Sequence, residues 1–120
     1  MDDILIKWTS YMGNLDFIKF LIKKGSNIHV QNDYILRWSV RYGHYDVVEF
    51  LIKKGANIHA NNEEALFLSL KHGHNKIFKL LVEKGANINL ENRNILTESI
   101  SYNNIDIFNR KRIRYQYQSR

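Results

Sequence analysis

The sequence predicts an all-α solenoid of paired antiparallel helices, and three observations support this prediction. The segment Gly43–His59 recurs in similar form on both sides, as Gly13–His29 and Gly73–Asn89, which gives a period of 30 residues. Apolar residues recur at helical spacing within each copy. A glycine follows each predicted helix of the first three repeats, where it can close a helix C-terminus, and Asn103 takes its place after the inner helix of the fourth. A fixed period of this length is typical of stacked repeats that bury their core between neighbours.

Each repeat is predicted to contain an inner helix followed by an outer helix. In the inner helix of the second repeat, Leu36 and Val40 are four residues apart and form the core stripe. Asn32 and Asn62 open the second and third repeats, and short polar side chains of this kind are typical N-caps. We therefore expect these two asparagines to cap the inner helices.

The repeated segment resembles the second half of an ankyrin repeat. The resemblance covers nearly the whole chain and rests on Gly43-His44, Val47-Val48, Leu51-Ile52 and Gly55-Ala56-Asn57. Repeats with this 30-residue period are similar to the ankyrin repeats of giant DNA viruses of amoebae.

The chain departs from the usual ankyrin repeat at the start of each repeat. The family repeat has about 33 residues and a Thr-Pro-Leu-His opening, whereas this chain has a shorter period and no proline. We therefore expect shortened loops between repeats, with the missing residues between His59 and Leu66. The family's histidine is replaced, so we expect its loop hydrogen bonds to be missing; the replacing residues are Lys7, Arg37, Phe67 and Thr97.

The resemblance implies a repeat domain over residues 1–109, with repeats at residues 2–31, 32–61 and 62–91 and a partial repeat at 92–109. We expect the outer helix of the partial repeat to be truncated or shifted, because cations stand where the second repeat has Phe50, Leu51 and Ile52, and cations are costly to bury. We assign residues 110–120 to a basic C-terminal tail, whose cations include Arg110, Lys111, Arg112 and Arg114.

The positive charge is concentrated in that tail. The net charge of the chain is +6, but Lys and Arg outnumber Asp and Glu by only one up to Phe108. Basic residues interleaved with tyrosines can hold a nucleic-acid backbone, and clustered cations are typical of nuclear import signals. Nucleic-acid binding or nuclear targeting through the tail is therefore the alternative function, and a solvated terminus is the simpler interpretation.

Several classes of function find no support in the sequence. The chain has no cysteine, which excludes disulfides and cysteine-ligated zinc. It also lacks a phosphate-binding glycine loop and a nucleophile elbow. The histidines recur at repeat-equivalent places, which indicates a local hydrogen-bonding role and not a metal site. We expect no catalysis, cofactor, metal or membrane span, and an intracellular location, cytoplasmic or, with the tail as import signal, nuclear.

The resemblance implies a protein-binding face on the inner helices and loop tips of a monomer. Trp8 and Trp38 stand at equivalent places, so we expect them to stack as a hot spot; alternatively the indoles pack between inner helices. A further interpretation is a shortened paralogue with little activity. The predicted contact residues are Trp8, Tyr11, Met12, Asp33, Tyr34, Trp38, Arg41, Tyr42, Glu64, Leu68, Lys71, His72 and Tyr102.

Overall fold

The computed structural model describes residues 3–87, and this part of the chain consists of six α-helices joined by turns, without a strand. The all-α repeat architecture predicted from the sequence is therefore confirmed. None of the helices in residues 3–87 is long and apolar enough to cross a membrane. The helices are α1 (Asp3–Met12), α2 (Leu15–Lys23), α3 (Val30–Arg41), α4 (Tyr45–Lys53), α5 (Ala60–Lys71) and α6 (Asn75–Glu83).

The helices form two layers that follow the repeat. In the inner layer α3 packs between α1 and α5, and in the outer layer α4 packs between α2 and α6. Within a repeat, α3 packs on α4 and α5 packs on α6. Each helix therefore contacts mainly its own repeat and the adjacent ones, as expected of a solenoid.

Glycine ends the inner helices, as predicted. At the end of α3, the Gly43 N–H donates to the carbonyl of Val40 and the His44 N–H donates to the carbonyl of Ser39, both at 3.0 Å. Gly43 has a φ of 78°, in the left-handed region that a Cβ disfavours. This bonding pattern satisfies carbonyls at the helix end that would otherwise lack a partner.

The inner helices begin differently from the prediction. Gln31, Asn32 and Asp33 have φ values of 51°, 55° and 55°, so they form a short left-handed turn within α3. The equivalent turn in α5 consists of residues 61–63. Asn32 and Asn62 therefore do not act as N-caps. Asparagine and aspartate tolerate this conformation better than most residues, and the turn makes the predicted short loop between repeats.

The core lies between the two layers and is best covered in the third repeat. Phe78 of α6 is fully buried, as are Val40, Leu66 and Leu70 of the inner helices. In the first repeat the outer helix is less covered, because Phe17 is only half-buried. The equivalent residues of the later repeats, Val47 and Ile77, are buried.

Candidate partner-binding surface

Four aromatic rings form a continuous row on the inner helices. Along α3 and its C-cap residue, the ring centroids of Tyr34 and Trp38 lie 5.2 Å apart with nearly parallel planes, and those of Trp38 and Tyr42 lie 6.0 Å apart. Tyr11 of α1 meets Tyr42 edge-on, with centroids 5.1 Å apart. We call these four residues the aromatic row. Such contacts stabilise one arrangement of the rings.

Arg41 lies against the aromatic row. Its guanidinium carbon is 4.5 Å from the Trp38 ring centroid and 6.0 Å from that of Tyr42. Burial, together with the nearby Tyr42, raises the pKa of the Tyr34 phenol above its ordinary value of 10.0, although Arg37 and Arg41 act to lower it. The phenol is therefore neutral at pH 7, and the charge beside the row comes from two arginines, Arg37 at the Tyr34 ring and Arg41 at the Trp38 and Tyr42 rings.

Arg37, one turn earlier in α3, has an internal role. Its side chain is buried and donates from Nε to the carbonyl of Asn32 at 2.8 Å and from Nη2 to that of Gln31 at 2.9 Å. Nη1 donates to Oε2 of Glu64 in the next repeat at 2.7 Å. The expectation that the loop hydrogen bonds are missing is therefore wrong for this repeat. The position of Arg37 in the repeat could have indicated this role, because the family has a loop-bonding histidine at that position.

Two residues predicted to contact a partner instead bond within the chain. Glu64 accepts from Arg37 and, at 2.8 Å, from the side-chain amide of Asn61. Asp33 is buried, and its Oδ1 accepts from the backbone N–H of Asn57 at 3.0 Å and bonds Nδ1 of His29 at 2.9 Å. Glu63 makes the same pair of contacts one repeat later, with Asn87 and His59.

The other repeated histidine joins adjacent repeats. Nε2 of His44 donates to the carbonyl of Tyr11, and Nε2 of His74 donates to that of Arg41, both at 2.8 Å. Each ring thereby satisfies a carbonyl at the end of the preceding inner helix. The predicted local hydrogen-bonding role is confirmed for His29 and His59, each of which bonds an acid four residues later, whereas His44 and His74 bond across repeats. Within residues 3–87, no three metal-ligating side chains are grouped so that they could hold a metal ion.

We expect Gly43→Ala to lower the free energy of unfolding by about 2–3 kcal/mol. A Cβ at this position would lie 2.6 Å from the His74 ring, so the ring would have to move away from the Arg41 carbonyl. Gly55 provides a matched control, because its φ is also positive but nothing lies within 4 Å of an added Cβ. Gly55→Ala should cost only about 1 kcal/mol of backbone strain. Urea unfolding followed by circular dichroism measures both; equal losses would contradict the role of the histidine contact.

The structure separates Trp8 from Trp38. Trp8 meets Phe17 of α2 edge-on at 5.7 Å, whereas Trp38 lies against Tyr34 and Arg41. Among the described residues the two indoles make no ring contact with each other, so the predicted stack is not formed. The alternative of packing between inner helices does not describe Trp8 either, since its side chain is 49% exposed.

The remaining predicted contact residues differ in exposure. Tyr11, Met12 and Tyr42 are exposed, with 60%, 50% and 39% of their surface accessible. Lys71 and His72 are also exposed. Leu68 stands one repeat after Trp38 but is buried, so it is not part of the accessible surface. Tyr102 and the basic tail (residues 110–120) lie outside the described residues.

Two family models match the sequence. The model described as "Ankyrin repeats (3 copies)" matches residues 2–62, and the model described as "Ankyrin repeat" matches residues 64–93. The search of curated proteins gave no match, and neither did the search of solved structures. The similarity to viral repeats therefore stays a prediction.

Proposed function

Because the chain belongs to the ankyrin-repeat family, whose repeats are generally protein–protein interaction modules, we propose that it binds a protein partner through its concave inner-helix and loop-tip face. The aromatic row with Arg41 is the observation that carries this proposal. Tyrosine, tryptophan and arginine are enriched at the centres of protein interfaces. The family is typically non-enzymatic, and we propose a role in binding without catalysis, inside the cell.

The row is held in place before any partner arrives. The opposite side of α3 is anchored in the core by Leu36 and Val40, which are almost fully buried. The left-handed turn within α3 is fixed by Arg37 and Asp33 through their bonds to backbone groups. A preorganised surface loses less conformational entropy on binding than a mobile one. The internal bonds of Arg37 and Asp33 therefore support the binding surface without being part of it.

We expect the double substitution Trp38→Ala with Tyr42→Ala to weaken partner binding by about 2 kcal/mol or more, because hot-spot aromatics lose at least this amount on truncation. The measurement is a nuclease-treated pull-down from cell lysate with each variant as bait, followed by quantification of the captured proteins. Circular dichroism should show that the helical signal is largely retained.

Phe20→Ala is the matched control for this experiment. Phe20 is an aromatic residue with 52% of its surface exposed, but it lies on the outer helix α2 and away from the aromatic row. Its removal should leave capture unchanged. If the double variant captures the same proteins in the same amounts as the intact chain, the concave face is not the binding site.

The second candidate function is binding of nucleic acid, or nuclear targeting, through the basic tail. The observation in its favour is the charge of residues 110–120, which carry five cations and no acid. The same pull-down with a chain ending at Asn109 tests it. Capture that disappears with the tail, or with nuclease treatment, would assign the activity to the tail; capture that persists supports the repeats.

A further inference from the structure

We infer that Arg41 binds a carboxylate of the partner, so that the segment docking on the aromatic row is an acidic peptide. This inference rests on the proposed function, because it specifies the chemistry of the partner at the same face. Three observations carry it: the state of the Arg41 guanidinium, the charges around it, and the number of cations nearby.

The first observation is the contrast between the two arginines of α3. Arg37 is buried and each of its three guanidinium nitrogens donates to an oxygen of the chain. Arg41 is only half-buried, and within residues 3–87 its guanidinium makes ring contacts but no hydrogen bond or ion pair. A guanidinium stacked on an aromatic face keeps its N–H donors around its rim. It is therefore oriented in advance for an incoming acceptor.

The second observation is that the acids of the same helices are already engaged. Asp33, Glu63 and Glu64 are the carboxylates of α3 and α5, and each accepts a hydrogen bond from another part of the chain. The equivalent of Arg41 in the next repeat is Lys71, which is exposed and has its ammonium 5.7 Å from the Phe67 ring. Within α3 and α5, every carboxylate therefore already accepts a hydrogen bond, and none of them is bonded to Arg41.

The chemistry of a guanidinium favours a carboxylate as the acceptor. Arginine can donate two parallel hydrogen bonds to one carboxylate, and such charge-assisted pairs are about twice as strong as neutral hydrogen bonds. The aromatic row beside Arg41 would receive apolar or aromatic side chains of the same peptide. The matching ligand is therefore a segment in which acidic and apolar residues are close together.

A peptide fits these observations better than a nucleic acid. Binding to a phosphate backbone draws its affinity from many phosphate contacts, each neutralised by a cation. Of the two arginines of α3, Arg37 is buried and bonded, which leaves Arg41 for a partner. One guanidinium suits one carboxylate, whereas it provides only a small counterion-release effect on a polyanion.

The test is selection from a display library of random 12-residue peptides on the full chain and on two variants. Arg41→Gln removes the proposed contact. Lys54→Gln removes the same charge at the C-terminal end of an outer helix, where Lys54 lies 5.7 Å from the Phe50 ring. We expect peptides selected by the intact chain to be enriched in Asp and Glu. Synthetic copies should bind the Arg41→Gln variant about tenfold more weakly or worse, and the Lys54→Gln variant within about twofold.

Three outcomes would overturn the inference. The first is selection of no peptides, or of peptides without enriched acids, and the second is equal binding of the peptides to the Arg41→Gln and Lys54→Gln variants. The third is Arg41-dependent binding of a 12-nucleotide oligothymidine that is tighter than the binding of the peptides. The double variant Trp38→Ala with Tyr42→Ala separates this inference from the proposed function. Peptides that depend on the aromatic row but not on Arg41 would refute the acidic partner alone. Peptides that bind the double variant as tightly as the intact chain would contradict the proposed binding face itself.

Discussion

Arg37→Ala is expected to lower the free energy of unfolding by about 3–4 kcal/mol, since two backbone carbonyls lose their donor and the Glu64 carboxylate loses its cationic partner and keeps only the Asn61 amide. The affected acceptors are Glu64, Asn32 and Gln31, and the last two belong to the left-handed turn. Loss of this support should loosen both the turn and the contact between the second and third repeats. Urea unfolding monitored by circular dichroism gives the loss as a shift of the midpoint.

Arg41→Ala is the matched control for Arg37→Ala. Both arginines lie in α3, one turn apart, and both contact an aromatic ring. Because Arg41 has no hydrogen-bonded acceptor among the described residues, its loss should cost about 1 kcal/mol or less. A double-mutant cycle with Glu64→Ala then isolates the interaction between repeats, expected at about 1–2 kcal/mol. Equal losses for the two arginine variants would refute the internal role of Arg37.

Phe78→Ala is expected to lower the free energy of unfolding by about 3–5 kcal/mol, the usual cost of removing a buried aromatic ring. Phe78 is fully buried in α6, which packs against both α4 and α5. Two other substitutions provide comparisons for this loss of unfolding free energy. Phe78→Ile places there the residue type that the first repeat has at Ile18, and it should cost only about 1–2 kcal/mol.

The second comparison is Phe20→Ala. The ring removed there is half-exposed, so the free energy of unfolding should fall by less than about 1 kcal/mol. Thermal melts of the three variants, recorded at the same concentration, give the ranking. If the Phe78→Ala chain has the same melting temperature as the Phe20→Ala chain, the core is not centred on the contact of α6 with α4 and α5.

The repeat, the helices and the C-terminal ends of the inner helices could be predicted because they depend on local patterns. Apolar spacing identified the buried stripes, and glycine at a fixed place marked each inner-helix end, as Gly43 shows. The left-handed turn at Gln31–Asp33 could not be predicted in this way, since hydrophobic periodicity carries no information on the sign of φ. The asparagine there was interpreted as a cap, although the same residue also favours left-handed backbone.

The candidate surface was harder to predict because its composition depends on contacts that are distant in sequence. Asp33 is polar and close to a loop, yet a backbone N–H 24 residues later draws its carboxylate inward. Leu68 stands at the place of Trp38, but it is buried. Trp8 contacts Phe17, a ring of its own repeat, and not the indole one repeat away. The helical positions were predicted correctly, whereas the neighbour of each side chain required the packed structure.

The joint between repeats bears on how such an array changes its length during evolution. Both joints within residues 3–87 combine a glycine at the end of one inner helix with a histidine of the next repeat, Gly13 with His44 and Gly43 with His74. The second repeat therefore supplies a histidine to the joint before it and a glycine to the joint after it. Deletion or duplication of this 30-residue repeat leaves a glycine paired with a histidine at the resulting joint. Recombination between equivalent positions can thus add or remove this repeat without a compensating substitution.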